Sequence, residues 1–258
     1  MLTNFHTHCN RCLHAYGTEE DYVQEAIRKG VDQLGFSDHG PFPDHDFGFR
    51  MPYDELDAYL AELDRLKESY KGQIQIFKGL EIEYLPFYRP YYQKLLNQKG
   101  LDYLALGQHF YRTGKGDVKN IFFAASTEDY VDYAVSVAEA IRTGLFRFVA
   151  HPDIPFANLF AWDDNCRKAC QIIIDAAAQQ HTILELNANG LRREKKVYPD
   201  GQRCPYPYLR FWEMAREQDI TVIVGSDCHT PGQVYDDTME TAVKLARAKD
   251  LRLTDSIF

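Results

Sequence analysis

Short apolar runs recur along the whole chain, and nearly every one ends in an imidazole or a carboxylate. Residues 2–5 lead to His6 and His8, 31–36 to Asp38 and His39, and 101–106 to His109. Residues 146–150 lead to His151, and 221–224 to Asp227 and His229. Two further runs carry acids: 74–80 precede Glu81 and Glu83, and 182–186 contain Glu185. Runs of this length and apolarity read as buried strands. Helical segments separate them, at 18–29, 53–70, 88–99, 127–143, 164–180, 206–218 and 231–248. Thr18, with Asp21 three residues on, marks the start of the first helix, and Ser126 or Thr127 caps the fourth. Gly30, Gly72, Gly100 and Gly144 fall where a left-handed helix terminus is wanted.

Strands alternating with helices imply a parallel sheet covered by helices. An open doubly wound sheet and a closed barrel both fit. The barrel is favoured, because an open sheet gathers ligands only near its switch point. A barrel brings all its C-terminal strand ends to one mouth. Seven strand-helix units predict a distorted, seven-stranded (β/α)7 relative of the TIM barrel, with a metal site at the C-terminal strand ends. With no linker or low-complexity stretch, residues 1–258 read as one domain.

The formal net charge of −9 argues against nonspecific nucleic-acid binding, which needs basic surface to displace counterions. No apolar stretch approaches the roughly 20 residues a bilayer span requires. Met1 runs straight into a strand, so a signal peptide is not expected, and six cysteines then read as free thiols. A cytoplasmic protein is the expectation. Cys9-x-x-Cys12 has no second CxxC partner, and Cys166, Cys170 and Cys228 read as packing. Oligomeric state leaves no signal.

His6-x-His8 puts two imidazoles on one face of a strand. Ser37-Asp38-His39-Gly40 and Ser226-Asp227-Cys228-His229 pair an acid with a histidine after an apolar run, in different repeats. Glu81 supplies a carboxylate able to bridge two cations, and Glu83 faces the same side. Nitrogen and oxygen donors gathered this way suit divalent metals.

These segments, with Cys12-Leu13-His14-Ala15, Gly79-Leu80-Glu81, His109, His151-Pro152-Asp153 and Asn187–Arg192, resemble the polymerase-and-histidinol-phosphatase (PHP) metalloenzymes over nearly the whole chain. Within them the resemblance is to the histidinol-phosphatase branch. It implies three metal ions, Zn, Mn or Fe. His6, His8, Glu81 and Asp227 would hold one; Glu81, His109 and His151 the second; His14, His39 and His229 the third. It also implies a small phosphorylated substrate, L-histidinol phosphate, hydrolysed to L-histidinol and phosphate. Another phosphoester, a phosphotyrosine protein or a nucleotide, is the alternative.

Clustered cations generate hydroxide near neutral pH and neutralise phosphoryl charge, so the expected nucleophile is a metal-bound hydroxide. Asp38, Glu81, Asp227 and His229 are the candidate catalytic groups, with Asp38 a possible proton donor to the leaving group. Phosphate oxygens favour a planar bidentate cation. Arg192 matches the family's phosphate-binding arginine, with Arg193 the adjacent alternative and Arg50 another candidate. His45 lies in the long loop over the mouth, where a substrate role is open. Histidinol phosphatases often carry basic residues shortly after His-x-Asp, whereas 154–160 here hold no Arg or Lys. Either another arginine substitutes or the phosphate is held differently.

Overall fold

The computed structural model describes all residues 1–258. In chain order its elements are β1 (Thr3–Asn4), α1 (Glu19–Arg28), β2 (Gln33–His39), α2 (Leu56–Ser69), β3 (Gln75–Ile82), α3 (Arg89–Gln98) and β4 (Tyr103–Leu106). A hairpin, β5 (Phe110–Arg112) and β6 (Val118–Asn120), precedes α4 (Glu128–Arg142), β7 (Phe148–Val149), α5 (Asp164–Gln180), β8 (Ile183–Asn187) and the single turn α6 (Asn189–Arg192). A second hairpin, β9 (Lys196–Tyr198) and β10 (Gly201–Arg203), leads to α7 (Leu209–Glu217), β11 (Thr221–Gly225), α8 (Asp237–Ala248) and β12 (Arg252–Leu253). No helix is long and apolar enough to cross a membrane.

The main sheet runs β1-β2-β3-β4-β7-β8-β11-β12 and every pairing in it is parallel. It therefore has eight strands, one more than the seven predicted. The extra strand, β12, pairs only Arg252 with Thr221 and Leu253 with Val222, too short a run to show a period. The sheet curls: a lone parallel bridge joins Thr7, just past β1, to Cys228, just past β11. His8 N donates to Cys228 O at 3.1 Å there. The first and seventh strands of the series thus meet at the C-terminal side.

Local rules account for most element ends. Thr18 Oγ1 accepts from Asp21 N, and the Asp21 carboxylate accepts from Thr18 N at 2.7 Å, a reciprocal cap on α1. The sixth and seventh predicted helices begin later than expected, at Leu209 and Asp237. Pro205 and Pro207 explain the first, since a proline pushes the residue before it towards extended backbone, and Asp236 sets the second, its side chain accepting from Met239 N at 2.9 Å. Gly30, Gly72, Gly100 and Gly144 all have positive φ, from 68° to 81°. Two of the predicted strands shrink to two residues, β1 and β7, although single backbone bonds continue beside them, Ser37 N to Thr7 O and Ala150 N to Leu106 O.

The sheet's concave face is closed at its N-terminal side and open at the other. Tyr103 fills the middle: its hydroxyl lies 2.8 Å from the carbonyl oxygens of both Phe5 and Phe36. Gly79 and Gly35 leave it room, since a Cβ on Gly79 would come within 2.3 Å of its ring. Phe5, Phe148, Ile223 and Ile257 pack around it, and Phe258 stacks on Phe77. Replacing so large a buried ring by alanine costs roughly 3–5 kcal/mol. The apolar plug leaves the C-terminal strand ends as the place for polar chemistry.

Candidate metal centre

His6 and His8 lie in extended backbone between β2 and β11, so both rings point the same way into the sheet's open end. His6 Nδ1 sits 2.8 Å from Glu185 Oε1, and His8 Nδ1 3.4 Å from Asp38 Oδ1. Carboxylates only accept, so each Nδ1 carries the ring proton and each Nε2 offers a lone pair. Those two Nε2 atoms face each other at 3.1 Å, both fully buried. Asp227 Oδ1 is 3.2 Å from His8 Nε2, and Glu81 Oε2 is 3.4 Å from His6 Nε2.

The same contradiction recurs further out. His14 Nδ1 points at Cys12 O (3.0 Å) and His229 Nδ1 at Asp227 O (3.1 Å), which assigns both protons to Nδ1. Their Nε2 atoms again face each other, at 3.0 Å. Two acceptors at hydrogen-bond distance repel unless something positive lies between them.

The register of β2 against β3 sets His39 beside Glu81, with His39 Nδ1 3.1 Å from Glu81 Oε2. Neither atom has a hydrogen-bond partner although both are buried, and His151 Nδ1 is likewise unpartnered. His151 Nε2 lies 2.7 Å from Glu81 Oε1, and His109 Nε2 3.8 Å from the same oxygen. Glu83 backs His109 Nδ1 at 3.3 Å and also pairs with Arg50. Gly107 makes the space: a Cβ there would stand 2.1 Å from Glu81 Oε1.

Donor atoms of His6, His8 and Glu81, of His6, His151 and Asp227, of His8, His39 and His229, and of His39, Glu81 and His109 each lie within 4.8 Å of one another. Facing lone pairs and orphaned buried donors are what a cation-binding cluster looks like, and imidazole with carboxylate suits borderline divalent metals. The residues fit the ions.

Electrostatics agree with that donor set. Burial works against ionisation of Glu81 and Asp227, yet the imidazoles around them, His39 and His6 foremost, hold both carboxyls well below the usual range. Burial also disfavours charge on His6 and His8, but Glu185 and Asp227 outweigh it and raise both well above the ordinary imidazole value. Burial, reinforced by the neighbouring His8, pushes His229 down to about 4 and lowers His14 as well.

All nine predicted ligand residues meet here: His6, His8, His14, His39, Glu81, His109, His151, Asp227 and His229. Three other expectations change. Asp38 does not reach the cavity; its Oδ1 accepts from His39 N and its Oδ2 from the Cys9 thiol at 2.9 Å, so it stands behind His8 and cannot reach a leaving group. Arg192 is spent internally, with five hydrogen bonds to Asp236, Ser226 and Gln233. Arg193, its neighbour, lines the cavity instead. His45 is exposed and packs edge-to-face on Phe47, with ring centroids 4.1 Å apart, outside the cavity wall.

That cavity has a volume of about 780 Å³ and opens over the cluster. Arg50, Arg193 and Asn189 provide its polar wall, and Phe47, Phe49, Phe110, Phe122, Phe123 and Tyr206 its aromatic one. Arg50 is buried, pairs with Glu83 and lies over the Phe47 ring at 5.6 Å. Phe122 and Phe123 follow the β5–β6 hairpin, which a sequence period cannot reveal because its strands have three residues each. Asn187 and Asn189, which donate to Asp227 Oδ2 at 3.2 and 3.1 Å, were legible only as part of a motif.

A parallel α/β sheet with imidazoles and carboxylates gathered at its strand ends defines a metal-dependent enzyme of the hydrolytic kind. The chain belongs to the PHP domain family, whose model matches residues 4–189. It is 31% identical to a probable histidinol-phosphatase of Deinococcus radiodurans over 240 residues, covering 90% of this chain and 88% of that one. It is 27% identical to the histidinol-phosphatase of Bacillus subtilis, covering 89% and 94%. Among solved structures it resembles the histidinol phosphate phosphatase of Lactococcus lactis, complexed with zinc, L-histidinol and phosphate. That match has a TM-score of 0.73 and 16% identity over 98% of this chain and 95% of the other.

Proposed function

We propose that this protein is a metal-dependent phosphomonoesterase that hydrolyses L-histidinol phosphate to L-histidinol and phosphate. The observation that carries the reading is the twice-repeated pair of imidazole lone pairs facing each other across about 3 Å, at the floor of an open cavity. Relatives that match nearly end to end and bear the histidinol-phosphatase name supply the substrate. Residues 1–258 act as one PHP domain, a distorted (β/α)7 barrel to which β12 is appended.

Three divalent ions, Zn, Mn or Fe, fit the donors. His6, His8, Glu81 and Asp227 would hold the first; Glu81, His109 and His151 the second; His14, His39 and His229 the third. His39, whose Nδ1 lies beside Glu81 Oε2, could join the residues that would hold the second. Such ions, when bound, activate water and neutralise phosphoryl charge. The chain's own groups do the rest. Arg193 and Arg50 present guanidinium donors to the phosphoryl oxygens, in place of the basic residues missing after Asp153. The aromatic wall holds the organic part of the substrate and excludes bulk water. Glu81 and Asp227, kept ionised by the imidazoles around them, supply the negative charge that anchors the cluster.

The test is phosphate release from L-histidinol phosphate by purified protein supplied with manganese, zinc or iron, and its loss on chelation. Faster turnover of a phosphotyrosine peptide or a nucleotide would overturn the substrate. Absence of turnover on every phosphoester would overturn the enzymatic reading.

A further inference from the structure

We propose that Glu185 is a positioning residue for this centre: from β8 its carboxylate sets the His6 ring, the His151 backbone and, through Asn187, the Asp227 carboxylate in register with one another. The inference rests on the metal-dependent reading above.

Glu185 is fully buried, and no lysine or arginine pairs with it. A carboxylate taken out of water is costly, so its partners must offset that cost. It has three. His6 Nδ1 lies 2.8 Å from Oε1 and 3.0 Å from Oε2. The backbone N of His151 donates to Oε2 at 3.1 Å, and Asn187 Nδ2 at 2.8 Å. The same Asn187 nitrogen reaches Asp227 Oδ2 at 3.2 Å.

Two backbone features are fitted to this carboxylate. Gly225, on neighbouring β11, leaves it space: a Cβ there would stand 1.7 Å from Glu185 Oε1. His151 has φ of 31°, a left-handed conformation that a side-chain-bearing residue seldom adopts. Its N–H is directed to Glu185 in that conformation, and its ring to Glu81. One buried acid therefore reaches groups on the chain segments after β1, β7 and β11 together. A carboxylate behind a ligating imidazole fixes the tautomer and raises the ligand's basicity, and losing such a partner weakens metal binding about 10–100-fold.

The experiment compares wild type with Glu185→Gln, both stripped of metal and titrated with cobalt(II) while the visible d–d absorption is followed. Gln fills the same volume but lacks the charge and one acceptor. The expected result is a 10–100-fold weaker first binding step and an altered band shape. Glu185→Asp, which keeps the charge but withdraws it from His6 by a methylene, should fail to restore either. Wild-type affinity and spectrum in Glu185→Gln, or full recovery in Glu185→Asp, would overturn the proposal while leaving the metal centre standing. Failure of the wild type itself to bind cobalt would overturn the metal reading as well. Should both variants fail to fold, nitrogen-15 spectra of the zinc-loaded wild type decide: the His6 proton belongs on Nδ1, and a proton on Nε2 refutes the role.

Discussion

The two facing imidazole pairs are alike in their front atoms and differ in what stands behind them. His6 and His8 are fully buried, and each turns its Nδ1 to a carboxylate, Glu185 or Asp38. His14 and His229 are partly exposed at the cavity wall, and each turns its Nδ1 to a backbone carbonyl. A carboxylate stiffens a ring and makes its other nitrogen a stronger donor; a carbonyl orients the ring with less effect on its basicity. On the proposed ligand assignment, the inner pair would retain its ion and the outer pair would hold one that exchanges at the substrate's side.

The sharpest test of that contrast is deletion. His8→Ala should remove the inner ion and reduce turnover on the order of a thousandfold or more, given that losing one transition-state donor alone costs on the order of a hundred- to a thousandfold. His14→Ala should leave the inner ions in place, so elemental analysis should find one ion fewer per chain than in the wild type. Equal metal loss in the two variants would erase the distinction. Asp38→Asn comes next in size. It keeps the shape behind His8 but removes the charge, and should weaken the inner site about 10–100-fold without changing the outer one.

Proton release gives an independent reading. Ligation requires an unprotonated nitrogen, so an ion must displace any proton already there. In the metal-free protein the acids around the inner imidazoles raise both well above the ordinary value, so protons compete with the ion there nearer neutral pH. His14 is lowered and His229 lies at about 4, so at pH 7 both are neutral. Calorimetry in buffers of different ionisation enthalpy should therefore show protons leaving with the inner ion and almost none with the outer. As pH falls towards 5, inner uptake should weaken first. Matching proton counts for the two steps would break the comparison.

The sequence disclosed the ligands better than their supports, for a physical reason. A ligand must stand at a strand end and point to the mouth, and position along an apolar run reports that directly. His6 and His8, two apart, share a face by the strand period alone. Asp38 was misplaced although the same rule was available: it adjoins His39 on β2, so if His39 faces the cavity Asp38 must face away, towards Cys9 and His8. Glu185 looked like any acid in a strand, because the imidazole it supports is 179 residues away. The arginines after β8 lie in one helical turn, α6 and its end, where neighbours diverge by about 100° and no period says which one points inward. The eighth strand was too short to register.

Those two arginines test whether the inner and outer sites share a frame. Arg192 bonds Ser226 O, at 2.6 Å, and Gln233 O, while Gln233 Oε1 accepts from His229 N at 3.1 Å. It therefore braces the loop that carries both Asp227 of the inner site and His229 of the outer. Arg192→Ala breaks a largely buried ion pair with Asp236 and should cost on the order of 3 kcal/mol in unfolding free energy. Both sites should loosen together, whereas Asp38→Asn affects only one. Arg193→Ala should touch neither site's metal content nor the melting temperature. It removes one charged hydrogen bond to substrate, worth about 1.5–3 kcal/mol, so KM should rise at least about tenfold. An unchanged KM with intact metal would remove Arg193 from the phosphate's surroundings and leave Arg50 as the cation that faces it.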